Sequence, residues 1–114
     1  MSPPPPLVDA RRYAHRRKAD CELVHSGGPY GENIFEGSAG YTPADAVDDW
    51  VSERRYYDYH SSSCVPGQAC GHYNQVVWAD SVHLGCAQVT CDDGDTFVTC
   101  NYDPPGNVDG QRPY

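Results

Sequence analysis

Four side chains of this 114-residue chain are of the types that bind metals or carry protons, and each lies beside a backbone landmark. His25 precedes the Ser26-Gly27-Gly28-Pro29 break, Glu32 sits inside Tyr30-Gly31-Glu32-Asn33, Glu53 flanks an apolar helical stretch, and His72 follows Cys70-Gly71. Two imidazoles and two carboxylates could hold a divalent metal, with zinc favoured by nitrogen donors. The same four could instead share protons in a buried hydrogen-bonded network with no metal. No His-Glu-x-x-His helix preorganises a hydrolytic zinc, and no Gly-x-Ser-x-Gly elbow presents a serine nucleophile. His15 in a basic helix face, His60 in a serine loop and His83 at a strand start have no second ligand at useful spacing.

A second group of residues suits binding. Tyr56, Tyr57 and Tyr59 combine apolar rings with polar tips, a chemistry that fits a sterol or lipid, although packing over their own helix end is the commoner use of such rings.

Positioning these groups requires a frame, and the six cysteines supply it. An even count among ten prolines and eleven glycines in one short domain reads as a disulfide framework made in an oxidising compartment. No Cys-x-x-Cys zinc spacing is present. The net charge of −8 is uneven: residues 1–20 hold five basic and two acidic side chains, leaving three basic and fourteen acidic ones. Such an acidic body argues against nucleic acid as a partner, because phosphate binding needs clustered Lys and Arg. The cluster Arg11, Arg12, Arg16, Arg17, Lys18 reads as the solvated face of a helix.

No run approaches the ~18 apolar residues of a membrane span. The segment from Met1 to Pro6 also lacks the apolar region of a signal peptide, which conflicts with the cysteines. The cysteines are the stronger witness. The expectation is an extracellular monomer whose sequence starts here without its leader.

Along the chain, Pro3 to Pro6 reads as an extended polyproline lead-in. Val8, Ala10, Tyr13 and Ala14 predict an amphipathic helix from Leu7 to Ala19. Tyr30 to Gly40 reads as a glycine-punctuated loop or a short helical turn. Thr42 is placed to cap a second helix, with Pro43 at its first position, Asp45 in its first turn, and Val47, Trp50 and Val51 as its buried stripe. Tyr56 to Gln68 is a polar loop. His72 lies on a short apolar helix, and strands are expected over Val82 to Thr90 and Thr96 to Asn101. A three-residue loop, Asp92-Asp93-Gly94, with Gly94 left-handed, joins the strands and places Cys86 opposite Cys100. The other four cysteines allow three pairings.

The run Cys70-Gly71-His72-Tyr73-Asn74-Gln75-Val76-Val77-Trp78 and, after the hairpin, Cys100-Asn101-Tyr102-Asp103-Pro104-Pro105-Gly106-Asn107 resemble the signature motifs of the CAP superfamily. That superfamily groups cysteine-rich secretory proteins, antigen five and plant pathogenesis-related class-one proteins, and the plant branch is the best match. The resemblance covers Ala10 to Tyr114.

What the resemblance implies is an α+β fold, an α-β-α sandwich with three disulfides that lacks the family's first helix and exposes the apolar surface this helix would cover. It implies a Pro-rich lead-in at 1–9, a CAP domain at 10–103 and a tail at 104–114. It implies the pairs Cys21–Cys91, Cys64–Cys70 and Cys86–Cys100, and a cavity lined by His25, Glu32, Glu53 and His72. It implies a secreted plant defence protein that binds sterol or lipid and is no turnover enzyme, needing no cofactor. The alternative is a metal-dependent hydrolase using zinc on that tetrad. In plant members ending in Pro-Tyr, cutting after the aspartate, here between Asp103 and Pro104, frees the tail as a signalling peptide for a receptor.

Overall fold

The computed structural model describes residues 4–114, so the first three residues of the expected lead-in lie outside it. Helix α1 spans Pro6–Arg17. Pro6 therefore opens the helix and does not extend the lead-in, because a proline at the first helical position loses no hydrogen bond and already has helical φ. Ala10, Tyr13 and Ala14 are buried along one face, as their spacing predicts.

Strand β1, Gly31–Gly37, replaces the loop expected over Tyr30 to Gly40. Its glycine ends hide a strand that forms only because β5, Thr96–Asp103, offers its edge in antiparallel register, Asn33 opposite Cys100. Helix α2, Pro43–Val51, begins with a full capping box: Thr42 Oγ1 accepts from the Asp45 amide and Asp45 Oδ2 accepts from the Thr42 amide. Its buried stripe is Ala46 and Trp50, with Val51 exposed and not buried as expected. The chain tightens into a 3-10 helix at Ser52–Tyr56, directly after Val51.

The polar loop that follows carries a two-residue hairpin, β2 (Tyr57–Asp58) with β3 (Ser63–Cys64). Helix α3, Gly71–Val76, carries His72. Strand β4, His83–Thr90, pairs with β5 so that Cys86 faces Cys100. The turn is the expected one: the Cys91 amide donates to Asp95 O, and Gly94 has φ +94°.

The main sheet has the order β1-β5-β4. Alternation along β5 divides the core in two. Phe97 joins Tyr13, Ala14 and Ile34 under α1, and Val98, Cys100 and Tyr102 join Ala46 and Trp50 under α2. Helices thus cover both faces, an α-β-α sandwich. Residues 96–102 of β5 are all buried. Among the exposed large apolar side chains, Val82 at 70% and Leu84 at 60% are the most exposed.

All three disulfides form as the resemblance implies, Cys21–Cys91, Cys64–Cys70 and Cys86–Cys100. Asn101 Nδ2 donates to Asp9 Oδ2 at 3.0 Å and so ties the central strand to α1. No helix among the described residues is long and apolar enough to cross a membrane.

Candidate functional site

The four chemically capable residues come together as two histidine–glutamate pairs. His25 Nδ1 lies 2.8 Å from Glu32 Oε1, and His72 Nδ1 lies 2.8 Å from Glu53 Oε2. In each pair the acid is the buried member. Glu32 and Glu53 side chains are 7% and 17% exposed, against 63% and 39% for His25 and His72. Each carboxylate is held by further donors: Glu32 accepts from the Ser26 amide at 2.9 Å and Ser26 Oγ at 2.6 Å, and Glu53 accepts from the Tyr73 amide at 3.1 Å. Such charge-assisted bonds orient the acid, and the acid in turn orients the ring.

Strand alternation sends Glu32 and its neighbour Asn33 to opposite faces of the sheet. On β1, Glu32 is opposite Asn101 and shares its face of the sheet with α1, while Asn33 is opposite Cys100 and faces α2 and α3. Asn33 is buried and donates through Nδ2 to the His72 carbonyl at 3.1 Å, which ties β1 to the helix that carries the second pair. His25, Glu32, Asn33 and His72 line one cavity of about 250 Å³, with Glu53 outside that lining. Trp50 supports His72 from below, the rings stacked 6.1 Å apart at 15°. Among the described residues no three His, Cys, Asp or Glu side chains converge closely enough to hold a metal ion. With Nδ1 of each ring engaged by a carboxylate, Nε2 is the nitrogen left to meet a proton donor, a proton acceptor or a metal.

The tyrosines behave differently. Tyr57 packs near Tyr73 at 5.9 Å and Tyr114 at 6.3 Å, and Tyr59 stacks on Tyr114 at 5.3 Å and 13°. Tyr56 lies under the Arg55 guanidinium at 4.9 Å. The trio thus contacts its own chain, chiefly the tail, which sequence reasoning did not anticipate because Tyr57 and Tyr114 are far apart along it. Burial, and then the Tyr114 hydroxyl 2.9 Å away, push the Tyr73 phenol up to about 12. Burial likewise pushes Tyr102 up to about 12, with the Asn33 hydrogen bond opposing.

Asp103 ends β5, its carbonyl accepting from the Val82 amide at 3.0 Å, and Pro104 beyond it is exposed. An open groove of about 530 Å³ lies beside this junction and is lined by Leu7, Tyr30, Val82, Leu84 and Asp103 among others. Sequence reasoning also passed over Ser26 and Asn33, although each adjoins a residue it singled out.

A disulfide-bonded α-β-α sandwich with two histidine–glutamate pairs, one anchored on the edge strand and one between the 3-10 helix and α3, defines a class, and residues 8–102 match the family described as the cysteine-rich secretory protein family, CAP. This chain belongs to that family. It is 59% identical over 107 residues to a pathogenesis-related protein PR-1 of Medicago truncatula, covering 92% of this chain and 62% of the relative. The chain therefore spans about three fifths of that relative's length. Among solved structures it resembles Schistosoma mansoni venom allergen-like protein 4, with a TM-score of 0.72 and 26% identity over 96% of this chain and 68% of the other. It also resembles NaASP2 with Zn2+, with a TM-score of 0.64 and 26% identity over 93% of this chain and 62% of the other.

Proposed function

We propose that this chain belongs to an extracellular plant defence protein that acts by binding sterol or lipid and carries a releasable C-terminal peptide, and that it is not a turnover enzyme. The observation that carries the reading is the 59% identity to a pathogenesis-related protein over 92% of the chain. Three disulfides in so short a domain suit the extracellular compartment. The apolar groove at Leu7, Val82 and Leu84 supports lipid contact, since apolar side chains lining a groove gain by removing a ligand's hydrocarbon from water. Tyr56, Tyr57 and Tyr59 are the competing ligand surface, one the tail would have to vacate.

Sterol and liposome binding by refolded protein tests the proposal. Binding at micromolar concentration that falls in Leu84→Asp places the ligand in the groove, and binding that falls in Tyr59→Ala places it on the tyrosines. No binding at that concentration sinks the ligand reading. Loss of peptide release in Asp103→Ala tests the tail.

A second reading rests on the cavity that His25 and His72 share. Their Nε2 atoms would hold a zinc ion, with Glu32 and Glu53 orienting the rings through Nδ1. Zinc would supply a bound water acidic enough to act as a hydrolytic nucleophile. The donor set fits in kind, nitrogen ligands backed by carboxylates, while only two such nitrogens share the cavity. Stoichiometric zinc whose removal abolishes a hydrolytic activity would support this reading, and folded metal-free protein would retire it.

A further inference from the structure

We propose that the core is a retention site for its own tail: once the Asp103–Pro104 bond is cut, residues 104–114 stay docked, gripped by Tyr57, Tyr59, Tyr73 and the Ala79 amide. This deepens the tail-release reading and rests on it. Hydrolysis consumes one water and leaves a carboxylate on Asp103 and a secondary amine on Pro104. No contact that holds the tail runs through that bond.

The tail is anchored at both ends. At its root, Ser81 Oγ donates to Pro104 O at 2.7 Å, the Gly106 amide donates to Gln75 Oε1 at 3.0 Å, and Asn107 Nδ2 donates to Gly71 O at 3.0 Å. Gln75 is itself buried, and its Nε2 donates to Ser81 Oγ at 3.1 Å, so the contacts to Pro104 and Gly106 form one connected set.

The far end is gripped more specifically. Arg112 Nη1 donates to Tyr59 O at 2.9 Å while its guanidinium lies 4.8 Å from the centre of the Tyr59 ring. Tyr114 stacks on the same Tyr59 ring, and its hydroxyl meets that of Tyr73 at 2.9 Å. Between Arg112 and Tyr114, Pro113 is buried and its carbonyl accepts from the Ala79 amide at 2.8 Å. A cation, a buried proline and an aromatic ring each meet a matching surface, so the site reads the sequence Arg-Pro-Tyr and not merely an extended chain.

The middle of the tail is loose by comparison. Val108 to Gln111 line an open cavity of about 400 Å³ together with Asn74 and Trp78 of the core, and the Gln111 amide donates to Val108 O at 3.1 Å, within the tail itself. A segment held at two separate ends opens stepwise, and freeing the root leaves the far grip in place. Release then needs two events, scission and unclamping, and the second sets how long the peptide stays.

The test inserts a specific-protease recognition sequence between Asp103 and Pro104 of the full chain, cuts it, and separates the products by native gel filtration at about 10 μM. We expect most of the peptide to elute with the core, and Tyr114→Ala to lower the retained fraction by about tenfold. Free peptide from the parent chain, with the three disulfides and the circular dichroism of the uncut protein kept, overturns the proposal. So does equal retention in parent and variant. A dimer-sized peak, meaning that the tail docks on a second copy, overturns it too.

Should the insertion impair folding, hydrogen exchange on the uncut natural sequence decides the matter. The Ala79 amide should exchange about tenfold faster in Tyr114→Ala than in the parent. Equal rates overturn the proposal. Because the assay brings its own protease, failed retention is distinguishable from absent natural cleavage at Asp103.

Discussion

Glu53 joins two elements through one carboxylate: Oε2 meets His72 Nδ1 at 2.8 Å and Oε1 accepts from the Tyr73 amide at 3.1 Å. It thereby fixes the ring and also satisfies an amide in the first turn of α3, which has no side-chain cap of its own. Glu53→Ala should cost about 2 kcal/mol, since it leaves two donors without their acceptor. Urea denaturation measures the loss, and a shifted His72 ring resonance reports the freed imidazole. Glu53→Gln should cost less, keeping one acceptor oxygen.

Gly85 is buried where α1 crosses β4, and a Cβ there would overlap the backbone of Leu7 and Pro6. Neither can move without displacing the helix. Gly85→Ala should therefore destabilise by about 3 kcal/mol, at the upper end of overpacking penalties, because the clash is with backbone and not with a side chain that can rotate away. The thermal midpoint measures it. Gly40→Ala is the contrast: no atom crowds that position, and only its φ of +96° opposes the change.

The disulfides should not be equal in worth. Cys21–Cys91 closes a separation of 70 residues and Cys64–Cys70 one of 6. On the chain-entropy model these contribute about 4 and about 2 kcal/mol respectively. Replacing each pair by alanines and comparing denaturant midpoints should reproduce that order.

Two buried phenols define an alkaline limit. Tyr73 and Tyr102 are pushed up to about 12, against an ordinary value of 10.0. The folded state therefore holds these protons more tightly than the unfolded chain does. The stability this represents is complete below pH 10 and is lost as pH rises through about 12. Stability measured from pH 9 to 12 should fall, and Tyr102→Phe should flatten the fall.

Much of the frame was legible where signals are local. The α2 start follows from Thr42, Pro43 and Asp45 within one turn, and the Cys86–Cys100 register follows from a three-residue loop ending in a left-handed glycine. Strand β1 was not legible. Its partner on β5 lies 59 to 71 residues away, and its glycine ends look like loop until that edge is present. The contacts of Tyr59 with Arg112 and Tyr114 were not legible either, because nothing local connects those residues.

By itself, then, the sequence determined which groups exist, the cap that starts α2, and the turn that aligns Cys86 with Cys100, because each depends on residues a few bonds or one hairpin apart. Tertiary structure decided how His25, Glu32, Glu53 and His72 pair and where the tail lies. Those outcomes depend on an edge strand whose alternating side chains point to opposite faces, and on contacts between segments that meet only after the chain has closed on itself.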